Sequence, residues 1–240
     1  MILSLEFKKI RRTGYIPAFL AGGLLTSAVP AVHMAARSQS FTGLSGTPFH
    51  ILMDANWGMM AQLTILLIVC GCSLMYNTEY ADRGALKMDT LPIRQVCLFF
   101  GKFTVNLICI ILVLAMQTIS VTLCGICWFP ERAPAIAETL KGMGFELILL
   151  LPTMMLMLAA ASACRNMWIS LGAGVILTFT GSMIPPKQFA LTQLPFAAPY
   201  QTLHTISESN IFPCLMICLA EFLVFGAFEI IYLYIRRKLS

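Results

Sequence analysis

Residues 103–129 read FTVNLICIILVLAMQTISVTLCGICWF, a run of 27 residues without one charged side chain. As a helix it measures about 40 Å at 1.5 Å per residue, enough to cross a hydrocarbon core of roughly 30 Å. Its apolar residues occupy every face rather than one stripe, so the natural solvent of such a helix is lipid. Outward from it lie five similar stretches, at 16–36, 57–76, 147–163, 166–184 and 212–235. The first has only His33 as a titratable group, and the last carries Glu221 and Glu229; the other three are uncharged.

Composition fits this reading. Only 11% of the 240 residues are charged and 58% are hydrophobic, whereas a soluble domain carries about 25% charged residues. So apolar a chain cannot cover a water-facing surface. The expected fold class is therefore all-α: a polytopic membrane protein whose six transmembrane helices form one domain over 1–240, without a large soluble domain. The formal net charge of +5 does not point to nucleic acid, because no aromatic-basic groove accompanies it.

The basic residues gather at span edges and set the orientation. Lys8, Lys9, Arg11 and Arg12, then Arg83, Lys87, Arg94 and Lys102, then Arg165, then Arg236, Arg237 and Lys238 fall on one side. Only Arg37, Arg132, Lys141 and Lys187 fall on the other. The richer side is expected in the cytoplasm, with both termini. A cleaved signal peptide is the competing reading of the N-terminus: basic 8–12, an apolar stretch, then small Ala35 and Ala36. The long lead before a stretch of full spanning length favours retention.

Two segments differ from the spans. Within 1–15, Ile2, Leu3, Phe7 and Ile10 fall near one helical face with cations along its edge, which suits an interfacial connecting helix; a simple basic flank is the plain alternative. The segment 185–200 opens with Pro185 and Pro186 and contains Pro195 and Pro199. It is too short and too broken to cross, and reads as an outer re-entrant segment, with Phe189, Phe196 and Tyr200 as headgroup anchors. Nine cysteines are spread along the chain and read as small hydrophobes. Cys124 and Cys127 have CxxC spacing, which alone makes neither a zinc nor a redox site; a disulfide there is a minor alternative.

The most informative loop lies between the second and third stretches. Residues 79–94 read EYADRGALKMDTLPIR, and Lys102 follows at the next span. Asp82 and Leu86 stand one helical turn apart, and the Leu91-Pro92 pair breaks the helix. A short charged helix here suits docking into a partner's cleft; a solvated turn is the plain alternative. In their order, Glu79, Gly84, Leu86, Leu91, Pro92, Ile93, Arg94 and Lys102 resemble the intracellular coupling region of type-2 ABC exporter permeases. EFKKIRR over 6–12 resembles that family's connecting helix, and the segment after the fifth stretch is similar too. In size, and without a large extracellular domain, the chain looks like the permeases of lantibiotic-immunity and bacitracin-resistance transporters.

That resemblance implies a transport subunit of a bacterial cell membrane, not an enzyme. It implies two separate ABC ATPase subunits, a second identical or homologous permease, and a cationic antimicrobial peptide as cargo. ATP and Mg would belong to the partner ATPase, leaving no cofactor in this chain. ATPase coupling would fall on Glu79, Asp82, Arg83, Gly84, Leu86, Leu91 and Pro92. No G-x-x-x-x-G-K-[ST] loop occurs, so the chain has no Walker cradle for triphosphate. Gly101-Lys102 lacks the upstream glycine, and LSG at 44–46 sits in an outer loop.

Other polar residues carry weaker signals. His33, His50 and His204, with Asp54 and Glu208, fall near the outer face, but their spacing matches no metal-ligand pattern and interfacial histidines are expected. Glu221 and Glu229 are candidates for a substrate path, because intramembrane carboxylates are costly and need a cause; the alternative is a bond to a neighbouring helix. They stand about 80° apart around a helix. Gly172, Gly174, Ala159 and Ala163 are expected to permit close helix contact. An ABC permease for lipid, polysaccharide or drug export, and a non-ABC carrier or scaffold, remain as alternatives. An ion-coupled carrier should show internal repeats and broken central helices, which the sequence does not display.

Overall fold

The computed structural model describes residues 2–11, 13–80, 95–130, 136–164, 166–185 and 189–239. All regular structure among them is helical. In chain order the helices are α1 (Ile2–Arg11), α2 (Tyr15–Thr42), α3 (Pro48–Tyr80), α4 (Gln95–Trp128), α5 (Ile136–Ala163), α6 (Met167–Ser182), α7 (Phe189–Thr192) and α8 (Glu208–Leu239). A 3₁₀ turn at Ala198–Tyr200 separates the last two.

The helices α2, α3, α4, α5 and α8 are each long and apolar enough to cross a membrane. The chain is thus a polytopic all-α membrane protein. Helix α6 is the exception: its 16 residues rise only about 24 Å. The stretch expected at 166–184 is helical, but stops short of a full span where the chain folds back on the bundle. Helix α1 is separated from α2 by Gly14, whose φ of 72° is a left-handed conformation that glycine adopts at no steric penalty. It packs mainly on α4, with Ile10 and Glu6 buried and Leu3 turned outward.

Helices α3 and α5 form the centre. Met53, Met60, Ile65, Ile68, Val69 and Cys72 of α3 are all buried, against neighbours on α2, α4, α5 and α6. Where α6 meets α3, an added Cβ on Gly174 would lie 2.5 Å from Val69 Cγ1, so this glycine lets two helices approach closely. Gly172 faces open space, and the close contact expected of it is absent. Hydrogen bonds tie the helices further: Tyr15 to Asn106 at 3.0 Å, Gln117 to Thr64 at 2.9 Å, and Ser170 to Ser73 at 3.1 Å. Helix α8 is outermost. Only 17% of its most apolar window is buried, so Phe212, Leu223, Val224 and Phe228 face away from the bundle.

The segment after α6 tucks against α3, α5 and α6. Its carbonyls, which an irregular backbone leaves unpaired, are taken up by side chains of the bundle. Trp57 Nε1 donates to the Pro199 carbonyl at 2.9 Å, and the Thr153 hydroxyl donates to that of Pro195. Phe196 is buried, and the Tyr200 hydroxyl donates to the Thr178 carbonyl at 3.2 Å. Both aromatics therefore serve as bundle contacts, which corrects their expected role as headgroup anchors: Trp57 and Thr153 hold the carbonyls beside them against the bundle. Cys124 is buried, Cys127 is exposed, and both are free thiols.

Candidate functional site

The last turn of α3 directly precedes residues 81–94 in the chain, and four charged side chains converge on it. Glu79 stands on that turn, Lys102 on α4, and Glu6 and Lys9 on α1. Lys102 Nζ lies 2.6 Å from Glu79 Oε1 and 3.6 Å from Glu6 Oε2. Lys9 Nζ lies 2.9 Å from Glu79 Oε1 and 2.9 Å from Glu6 Oε1. Lys102 is 1% exposed and Glu6 2%, so neither ion is hydrated and each depends on its partners. The four formal charges cancel. The Tyr76 ring adds its face to Lys102, 5.2 Å from the centroid, a favourable placement for a cation.

Burial pulls the Lys9 ammonium down, but Glu79 and Glu6 outweigh it and hold it above the usual lysine range. The lysines also face the carbonyl end of α3, where the helix dipole favours positive charge.

Tyr80, the next residue, ties the same turn to the other half of the bundle. Its hydroxyl donates to the Ser162 carbonyl on α5. Arg236 of α8 donates to the Tyr80 hydroxyl at 3.3 Å and to the Ser162 carbonyl at 3.2 Å. The Ser162 hydroxyl lies 2.5 Å from Glu229 Oε1. Two adjacent residues thus connect the end of α3 to α1 and α4 on one side and to α5 and α8 on the other. These links are hydrogen bonds and ion pairs to four helices.

Of the expected coupling residues, the structure places Glu79 in this network; Asp82, Arg83, Gly84, Leu86, Leu91 and Pro92 lie outside the described residues. The two expected carboxylates of α8 separate. Glu229 is 2% exposed and bonded to Ser162, as a helix–helix tie requires. Glu221 is half-buried, and one of its oxygens is buried without a hydrogen-bond partner. Glu146 is a residue that sequence reasoning missed. It stands inside α5, fully buried, with neither oxygen partnered.

The far end of the bundle gathers the histidines. His50 Nε2 lies 2.8 Å from Glu138 Oε1, His204 Nε2 lies 2.5 Å from Asp54 Oδ1, and the two rings stack at 4.6 Å. These are two separate His–carboxylate pairs. Among the described residues no three such side chains converge on one metal position.

A family model described as ABC-2 family transporter protein matches residues 2–181. No curated protein and no solved structure matches the chain.

Proposed function

Because the chain belongs to the ABC-2 family of transporter proteins, whose members are membrane permeases working with ABC ATPase subunits, we propose that it serves an exporter of cationic antimicrobial peptides. Two ATPase subunits would supply the ATP hydrolysis, and a second identical or homologous permease would complete the path. The Lys102 end of the bundle would face the cytoplasm and the His50 end the outside.

The double anchoring of the end of α3 is the observation that carries this reading. A segment that receives force from an ATPase must be attached rigidly to the helices it moves. Residues 81–94 follow α3 directly, two residues beyond Glu79 and one beyond Tyr80, both locked to other helices. Retaining two buried charges, Lys102 and Glu6, here is costly compared with apolar packing, which argues that the network has a task beyond stability. ATP binding would draw on 79–94, and the network would pass that movement to α1, α4, α5 and α8. Unpartnered Glu221 supports a cationic cargo, as an acidic point on the outermost helix.

Co-purification tests the reading. An ATPase encoded beside this chain should be retained by it, and the triple variant Asp82→Ala, Arg83→Ala, Leu86→Ala should lose that retention while still inserting in the membrane. Cells expressing the complete transporter should survive a cationic lantibiotic better than cells without it. Unaltered retention by a normally inserted triple variant would remove the contact, and unaltered sensitivity would remove the peptide cargo.

A further inference from the structure

A groove of about 660 Å³ runs between α2 and α3 toward the His50 end, far from the Glu79 network. That volume falls in the range of roughly 300–1,000 Å³ typical of ligand sites. Its walls are Leu25, Val29, Val32, Met59 and Leu63; Val32 and Met59 are largely exposed, so the groove opens sideways to the bilayer. Its mouth is Arg37.

Three observations distinguish it from an ordinary lipid-facing surface. Helical geometry breaks at Arg37, with φ −143° and ψ 39°. The Arg37 side chain is exposed and pairs with no carboxylate among the described residues. Inside the groove, His33 Nδ1 lies 2.9 Å from Asn56 Oδ1. The Asn56 amide nitrogen is already donating to the Leu52 carbonyl at 2.8 Å. Nδ1 therefore donates, and Nε2 is left without a protein partner among the described residues.

The dimensions suit a lipid chain. From Leu25 to Arg37 the helix rises about 18 Å, close to the roughly 15 Å of hydrocarbon in one leaflet. Arg37 then stands at headgroup level when Leu25 stands near the midplane. His33, one turn or about 6 Å below Arg37, falls at the depth of a lipid's ester oxygens.

We propose that this groove holds an acyl chain of an anionic phospholipid, with the lipid phosphate on Arg37. Guanidinium pairs with phosphate through two parallel N–H bonds, whereas a zwitterionic headgroup carries its own cation to compete. The site adds a bound lipid to the permease and does not depend on the identity of the cargo.

The test uses the full chain in nanodiscs of phosphatidylcholine doped with phosphatidylglycerol bearing a photoreactive acyl chain. Cross-linked peptides should map to 25–37 and 55–63, and unlabelled phosphatidylglycerol should compete. Arg37→Gln should lower labelling there about fivefold, the equivalent of about 1 kcal/mol per basic residue facing anionic lipid, and Arg37→Lys should retain most of it. Met59→Trp, which fills the groove and keeps Arg37, should also lower it; a thermal unfolding profile like that of the parent shows that each variant is folded. Equal labelling by photoreactive phosphatidylcholine would overturn the proposal. So would labelling indifferent to Arg37→Gln, or cross-links joining two copies of the chain at these residues.

Discussion

Lys102 Nζ lies 2.6 Å from Glu79 Oε1, at a bundle end where the lysine is 1% exposed. Removing one partner of such a pair leaves the other charge uncompensated, which costs about 3–5 kcal/mol. Lys102→Met should therefore lower the unfolding temperature in detergent sharply. Glu79→Gln should cost less, since Glu6 still faces Lys102 at 3.6 Å. The double variant should recover part of the loss, because it removes a charge of each sign. Strictly additive losses in this double-mutant cycle would show that the two residues are not coupled.

The orientation proposed from the basic residues is open to chemical labelling. In a cysteine-free background, single cysteines at Ser45 and Glu138 should react with an impermeant maleimide in intact cells. Cysteines at Arg83, Arg165 and Arg236 should react only after permeabilisation. Labelling of the Arg83 position in intact cells would reverse the orientation and remove the ATPase-docking role with it.

The spans are legible in the sequence because the membrane demands long apolar runs, and water-soluble folds seldom contain them. The start of α5 is not. Glu138, Lys141 and Glu146 interrupt the hydropathy, so the apolar stretch opens only at 147, whereas the helix begins at Ile136 and buries Glu146 completely. A hydropathy boundary treats a charge as an exit from the membrane, and that holds only when the charge is hydrated. Lys102 carries a usable signal: a lysine set between Phe99, Phe100 and Phe103 needs a counter-charge. Which carboxylates supply it cannot be read from sequence, because Glu6 and Glu79 reach it from different helices. Likewise the prolines of 185–200 announce a broken segment, but not that Phe196 turns into the bundle.

Gly181 sets the contact between α6 and the segment that folds back. A Cβ there would overlap the Phe196 carbonyl oxygen and lie 2.6 Å from its carbon. Backbone cannot yield as a side chain does, so Gly181→Ala should displace the whole segment. Gly172→Ala on the same helix meets nothing within 4 Å and should be neutral or slightly stabilising, through the better helix propensity of alanine. The comparison is read by limited proteolysis after residue 185 and by thermal unfolding. Equal behaviour of the two variants would mean that the close approach at Gly181 does not hold the segment.

Glu221 and Glu229 lie on one helix and should respond differently to the same substitution. A charged group at the membrane centre costs at least about 2.5 kcal/mol on the insertion scale, so each needs a compensating cause. Glu229 has one in the structure: Ser162, 2.5 Å away and shielded from lipid. Glutamine keeps an oxygen to accept that bond, so Glu229→Gln should leave peptide resistance nearly unchanged, while Glu229→Ala should lose about 1–3 kcal/mol through the orphaned hydroxyl and the space left behind. Glu221 has no such partner on its buried oxygen. If its acidity attracts a cationic peptide, Glu221→Gln should lower the minimum inhibitory concentration of a cationic lantibiotic several-fold, at matched expression and with ATPase retention intact. Glu221→Asp, which keeps the acid on a shorter arm, should lie between parent and Gln. Full resistance in Glu221→Gln cells would remove Glu221 from the path, and a loss shared equally by Glu229→Gln would assign both carboxylates to packing of α8.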